Sequence, residues 1–172
     1  MLYAYRHRLA VRFRDCDAMG HVNHAVYFTY LEQCRLTFWR EVTGAASPHT
    51  RVIVARAECD YRAPAFFGDD LEIALTVGEI GQSSFVLAYE IANAANGRSI
   101  AVGRTVMVCY DYDAGKSIPL PPATRDLLER LRSDTRPAGA PAIGGRTRVG
   151  PGSDPEGVRG RAAVIADCNK RC

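Results

Sequence analysis

The 172-residue chain has no run of about 18 apolar residues, so no membrane-spanning helix is expected. Its opening residues, MLYAYRHRLAVRFRD, put arginines where a secretory leader needs an uninterrupted apolar core. The expectation is a cytoplasmic protein. None of the six cysteines (Cys16, Cys34, Cys59, Cys109, Cys168 and Cys172) stands in a C-x-x-C pair. The ligand spacing of a zinc site is therefore missing, and neither metal nor cofactor is expected. The first four sit in or beside apolar patterns, where a reduced cysteine acts as a small hydrophobe and no disulfide is called for. A one-signed charge is also missing from most of the chain. Residues 1–132 hold 15 basic and 15 acidic side chains of the totals of 22 and 19, which leaves 7 and 4, the whole net +3, to residues 133–172. The body thus lacks the basic footprint of a nucleic-acid binder. Residues 133–172 have no Leu and no aromatic residue, while Gly and Pro recur in RPAGAPAIGGRTRVGPGSDPEGVRG. Such a segment cannot bury enough apolar surface to offset its chain entropy. It reads as a disordered tail after a single domain at 1–132.

The body alternates. Leu9, Val11 and Phe13 read as a first strand. Tyr27, Tyr30, Leu31, Cys34 and Phe38 recur at helical spacing, so a helix is expected from Tyr27 to about Val42, capped by Asn23 or His24 and closed by Gly44. Four more strands follow. Their core faces are expected to carry Ile53, Ala55, Ala57, Cys59 and Tyr61; then Leu71, Ile73, Leu75 and Val77; then Phe85, Leu87, Tyr89 and Ile91; then Ile100, Val102, Val106, Val108 and Tyr110. Gly81-Gln82 and Asn96-Gly97 mark hairpins, and Pro121 to Leu131 reads as a short closing helix. Strand, helix, then four strands gives an α+β fold with a five-stranded antiparallel sheet on one long helix. One helix cannot cover that sheet. An apolar face or unpaired edge remains for a second copy of the chain, so a homo-oligomer, dimer or tetramer, is expected.

Between first strand and helix lies RDCDAMGHVNHAVYFTYLEQCR, residues 14–35, which packs two aspartates, two histidines, an asparagine and a glycine into a few positions. The segment FRDCDAMGHVNHAVYFTYLEQCR resembles the signature of the hotdog-fold acyl-CoA thioesterases, and more narrowly of the 4-hydroxybenzoyl-CoA thioesterase and YbgC-like branch. Tyr61-Arg62-Ala63-Pro64 with Gly68-Asp69, and Ile80-Gly81-Gln82-Ser83-Ser84-Phe85, resemble that family's later connections. The resemblance covers about residues 5–132. It implies a sheet wrapped around the helix, sites at a dimer interface, and an acyl-CoA whose acyl group and pantetheine arm enter between subunits. It puts Asp17 on the catalytic aspartate and His24 where the oxyanion-binding N–H emerges. Phe13 stands where the YbgC-like branch often keeps a tyrosine, and His21 with Asn23 matches a sister group of bacterial thioesterases.

The chemistry fits those residue types. A thioester is already activated, so hydrolysis needs a nucleophile, or a base for water, and a stabilised oxyanion. Asp17 can serve as nucleophile or as base. Asp15, two residues away, is its rival. Gly20 permits a sharp turn before the helix, whose first N–H groups, that of His24 in particular, can hold the oxyanion; such donors contribute about 2.7–4 kcal/mol each. His21 and His24 can also act as acids for the leaving thiol or orient substrate. Asn23 and Tyr27 flank the site, and Arg62, Ser83 and Ser84 are candidates for pantetheine or its phosphates. Glu32 reads as a satisfied interface or core carboxylate, or as a second catalytic acid. Two other functions remain open. A dehydratase on carrier-bound acyl chains would want a His and a Glu facing each other across the tunnel; a non-catalytic acyl-CoA-binding protein would not need Asp17.

Overall fold

A computed structural model describes residues 3–44 and 51–135. The helix α1, Val26–Thr43, fits its expected span to within one residue at each end. Tyr27, Tyr30, Leu31, Cys34 and Phe38 are buried as their spacing requires, and Trp39 joins them. Gly44 closes the helix in the left-handed region at φ 65°. Around α1 run β1 (Tyr5–Ala10), β2 (Val52–Tyr61), β3 (Asp70–Ile80), β4 (Ser84–Asn93) and β5 (Ser99–Asp111), antiparallel throughout in the order β1-β3-β4-β5-β2. A two-residue strand, β6 (Lys116–Ser117), adds to β5, and α2 (Pro122–Thr135) closes the described residues. α1 packs against β1, β2 and β3, so the core lies between one helix and the concave sheet. All described residues fall within one unit of the chain, residues 1–140. The tail expected after residue 132, with Cys168 and Cys172, lies outside the described residues from 136 onward.

Three expectations about faces and ends are corrected. Phe13 is not in the first strand. β1 stops at Ala10, and Phe13–Asp15 form a 3-10 turn in which Arg12 and Asp15 bond each other, leaving Phe13 79% exposed. Beyond Ile100, which is buried, the core face of β5 is the opposite one: Ala101, Gly103, Thr105, Met107 and Cys109 are buried, while Val102, Val106 and Val108 are not. Both alternating sets are largely apolar, with Arg104 in one and Thr105 in the other, so the pattern alone could not choose. The smaller set faces inward because the helix approaches there: a Cβ on Gly103 would stand 2.7 Å from Leu31 Cδ1. The single face expected of β2 is broken by a bulge. Val54 pairs with Met107 and Arg56 with Val106, so Ala55 is an extra residue and the alternation slips by one.

The strands' common end positions the candidate site. Asp70 pairs with Ala10, Tyr61 with Ala101, and Leu71 with Asn93, so the start of β3, the ends of β1 and β2 and the turn after β4 lie together. The helix begins at this end. At the far end, α2 holds the β3–β4 hairpin, where Arg125 donates to the carbonyl oxygen of Gly81 at 2.7 Å and Leu128 is fully buried.

Candidate active site

Asp15 organises the segment between β1 and α1. Its Oδ2 accepts the Arg12 backbone N–H at 3.0 Å, Arg12 Nε at 3.1 Å and the Tyr30 hydroxyl at 2.8 Å; its Oδ1 accepts an Arg12 terminal nitrogen at 3.0 Å. The residue is 3% exposed. Burial alone would raise its pKa, but the hydrogen bonds from Arg12 and Tyr30 outweigh burial and hold it below the usual carboxylate range. Tyr30 is shifted the other way, upward, by burial and by donating to that carboxylate. The carbonyl of Asp15 also accepts the Asn23 N–H at 2.9 Å. One buried residue therefore joins the loop's beginning, its end and the helix. With its oxygens so occupied, Asp15 has a structural role.

Asp17 stands differently. Cys16 bridges Val22, the Asp17 N–H donates to the His21 carbonyl at 3.0 Å, and the Gly20 N–H donates to the Asp17 carbonyl at 3.0 Å. Residues 16–22 are thus a tight hairpin, and Gly20 sits at φ 82°, where a side chain would be strained. Asp17 Oδ1 accepts the Met19 N–H at 2.9 Å. Oδ2 has no hydrogen-bond partner among the described residues, and the side chain is 25% exposed. His21 Nδ1 lies 3.9 Å from Asp17 Oδ1 and 3.3 Å from the Val22 carbonyl oxygen. The hairpin is stitched to the β2–β3 connection: Val22 N–H donates to Ala65 O at 2.8 Å, and His21 bridges Phe66.

The start of α1 follows. The N-cap position is Ala25, with no side-chain cap bond, so neither Asn23 nor His24 caps the helix as expected; Asn23 makes the turn before it, its Oδ1 accepting the Ala25 N–H at 2.9 Å and its carbonyl the Val26 N–H at 3.0 Å. Between them, the His24 N–H meets no acceptor among the described residues, and its side chain is exposed. The His24 carbonyl accepts the Tyr61 hydroxyl at 2.8 Å. Tyr61 lies edge-to-face on the buried ring of Tyr27, centroids 5.2 Å apart, and burial pushes the Tyr27 phenol up to about 12. Arg62 follows Tyr61, and its N–H donates to Ile100 O at 2.8 Å.

Gly20, His21, Asn23, His24, Tyr27 and Arg62 are therefore at the same end of the molecule as Asp17. Ser83 and Ser84 are not. Ser84 pairs with Val108, which pairs with Ile53, so the β3–β4 hairpin stands at the opposite end of the sheet. Glu32 is not a satisfied core carboxylate either. Its side chain is 59% exposed, 3.7 Å from an Arg35 guanidinium that is 11% exposed. Both line a groove of about 270 Å³ between the first turns of α1, with Phe28 and Thr29, and strand residues Val54, Ala57 and Thr105. Val54 and Ala57 share this groove because of the bulge. The sequence reading missed Tyr61 as a site residue. A tyrosine ending an edge strand carries no local signal that its hydroxyl reaches a helix start 37 residues away in the chain. Among the described residues no three His, Cys, Asp or Glu side chains converge as a metal site, and no helix is long and apolar enough to cross a membrane.

Residues 11–128 match the thioesterase-like superfamily. A thioesterase from Thermus thermophilus, solved with coenzyme A and zinc, is 33% identical, covers 78% of this chain and 98% of its own, and superimposes with a TM-score of 0.68. The 1,4-dihydroxy-2-naphthoyl-CoA hydrolase of Synechococcus elongatus is 29% identical over 73% of this chain and 95% of its own length. The long-chain acyl-CoA thioesterase FadM of Escherichia coli is 26% identical over 72% and 96%.

Proposed function

The chain belongs to the thioesterase-like superfamily and is an acyl-CoA thioesterase; from that premise we propose how its own residues divide the work. Asp17 supplies the carboxylate and the His24 N–H the oxyanion donor. The observation that carries this reading is their juxtaposition on one short segment. A carboxylate oxygen with no partner among the described residues leads, through a tight hairpin, into a helix start where the His24 N–H has none among them either. The helix terminus adds partial positive charge where the thioester oxygen becomes negative.

In the general-base form, Asp17 Oδ2 takes a proton from water while the water oxygen bonds to the acyl carbon. The carbonyl electrons move onto oxygen and are held at the His24 N–H. Collapse re-forms the carbonyl, breaks the C–S bond and releases the thiolate, which takes up a proton, with the free acid as second product. In the nucleophilic form, an Asp17 carboxylate oxygen bonds to the acyl carbon and the C–S bond breaks, releasing the thiolate; water then cleaves the mixed anhydride, which frees the acid and restores the Asp17 carboxylate. The four hydrogen bonds on the Asp15 carboxylate favour Asp17 over it for either role. The acyl group enters the groove beside Phe28, and the pantetheine lies along Arg62 and His21.

The free β2 edge, with Val54 44% and Tyr61 47% exposed, is the surface for a second copy. A two-fold antiparallel pairing there sets one chain's Tyr61 end beside its partner's Val52 end. The partner's β3–β4 hairpin, with Ser83 and Ser84, then lies two strands beyond the partner's own β2 on the side of this chain's Tyr61, which is how these serines join the site. The test is a panel of aromatic, short-chain and long-chain acyl-CoAs incubated with the protein and a thiol reagent. Free CoA that appears with wild type and not with Asp17→Asn supports the reading. A panel left intact by wild type refutes it.

A further inference from the structure

We infer that Tyr61 is a positioning residue for catalysis: its hydroxyl clamps the peptide that follows His24 and so aims the His24 N–H at the substrate. The inference rests on the proposed oxyanion role of that N–H and extends it to a residue outside the hairpin and helix.

His24 lies between two peptide planes. The plane before it is fixed by the Asn23 carbonyl, which accepts the Val26 N–H at 3.0 Å. The plane after it is held at both ends: its N–H, that of Ala25, donates to Asn23 Oδ1 at 2.9 Å, and its carbonyl, that of His24, accepts the Tyr61 hydroxyl at 2.8 Å. Three bonds therefore define the backbone on both sides of the His24 N–H, which meets no acceptor among the described residues. Two come from Asn23, next to His24 in the chain. The third comes from another element.

Tyr61 is suited to that task. It ends β2, where pairing with Ala101 fixes its backbone. Its ring rests on Tyr27 at 5.2 Å, and Tyr27 is 3% exposed on the first turn of the same helix. The ring contact fixes the phenol's direction, and the hydroxyl reaches the carbonyl. The His24 carbonyl, just before the N-cap residue Ala25, is not taken up by the helix ladder: the Phe28 N–H donates to the Ala25 carbonyl at 3.2 Å, and the phenol holds the His24 carbonyl. An oxyanion donor must be aimed before the reaction, since a misplacement of about 1 Å can lower the rate roughly a hundredfold.

Tyr61→Phe keeps the ring on Tyr27 and removes only the hydroxyl. The variant, made in the full chain, is read in two ways. With the best acyl-CoA from the panel, kcat falls about tenfold while KM and the sedimentation coefficient stay at the wild-type values, because the lost contact matters only when charge develops on oxygen. In proton exchange followed by NMR, the Ala25 amide exchanges several-fold faster, because its peptide has lost one of its two anchors. Wild-type kcat in the variant, or a change in KM with kcat kept, overturns the catalytic role. An unchanged Ala25 amide overturns the clamp. If wild type hydrolyses no thioester while the Ala25 amide still responds to the substitution, the thioesterase reading has failed and the catalytic role falls with it, whereas the clamp itself stands.

Discussion

The hydroxyl of Tyr30, on the buried face of α1, donates to Asp15 Oδ2 at 2.8 Å, and Arg12 closes the other side of the same carboxylate. The segment that carries Asp17 is thereby anchored to the core helix two residues before it. A buried carboxylate with its partners in place stabilises the fold; the same group without its charge leaves Tyr30 and Arg12 poorly matched.

Asp15→Asn should therefore lower the unfolding free energy by about 2 kcal/mol at neutral pH, on the scale of a charge-assisted buried network. The pH dependence follows from the sign of the shift. The folded-state pKa of Asp15 is depressed below its unfolded value. Its contribution is therefore complete above the unfolded carboxylate value of about 4 and is lost as the pH falls through the lower folded value. Denaturant unfolding of wild type and Asp15→Asn should give parallel stabilities from pH 7 to about 5 and curves that converge below about 4. A gap that stays constant down to pH 3 would assign the loss to packing instead.

Much of this arrangement is legible in the sequence. The periodicity of Tyr27, Tyr30, Leu31, Cys34 and Phe38 fixes the helix face, and the Asn-Gly and Gly-Gln pairs fix the hairpins. The Asp-Gly-His-Asn spacing before the helix brings the loop residues to one end. What could not be read depends on contacts distant in the chain. The inward face of β5 is decided by the approach of Leu31 to Gly103, and the slip in β2 by an extra Ala55 opposite β5. The remoteness of Ser83 and Ser84 follows from strand register rather than from any local motif. The distinction between Asp15 and Asp17 rests on which carboxylate meets Arg12 and Tyr30, and spacing alone makes the two look alike.

The β2 edge carries the next prediction. Wild type should sediment as a dimer or a tetramer, with β2 as the joining edge. Ala55→Pro tests this. Ala55 is the bulge residue without a register partner on β5, so proline there spares the β2–β5 ladder yet obstructs pairing on the outer side. The variant should sediment as a monomer with wild-type circular dichroism and with little hydrolysis, because the partner's contribution to each site is gone. A wild-type protein fully active as a monomer at micromolar concentration would refute the shared site.

Removing residues 136–172 should leave folding and hydrolysis nearly intact. That segment has neither Leu nor aromatic residues, and apolar burial is what a structural segment must contribute. The measurement is the thermal midpoint and kcat/KM of the truncated chain against the full one. A fall of many degrees, or loss of turnover, would make the segment part of the fold or the site.

Asp17→Asn is the decisive substitution for the chemistry. The amide keeps the shape of the side chain, and its oxygen can still accept the Met19 N–H that holds the turn, so stability should change by well under the Asp15 effect. It cannot attack a thioester as a carboxylate, and it is a far weaker base for water. Turnover should fall by at least about two orders of magnitude. The acyl groove and the Arg62 side of the site are untouched, so the loss should lie in kcat rather than in KM. Asp15→Asn gives the opposite profile: less stable protein, with kcat close to wild type at temperatures where it remains folded. If the profiles were exchanged, with Asp15→Asn dead and folded while Asp17→Asn kept its activity, the carboxylate bound by Arg12 and Tyr30 would be the reactive one. Should both variants keep full activity, hydrolysis would not depend on an aspartate, and Glu32, more than half exposed at the mouth of the groove beside Arg35, would be the carboxylate to replace next.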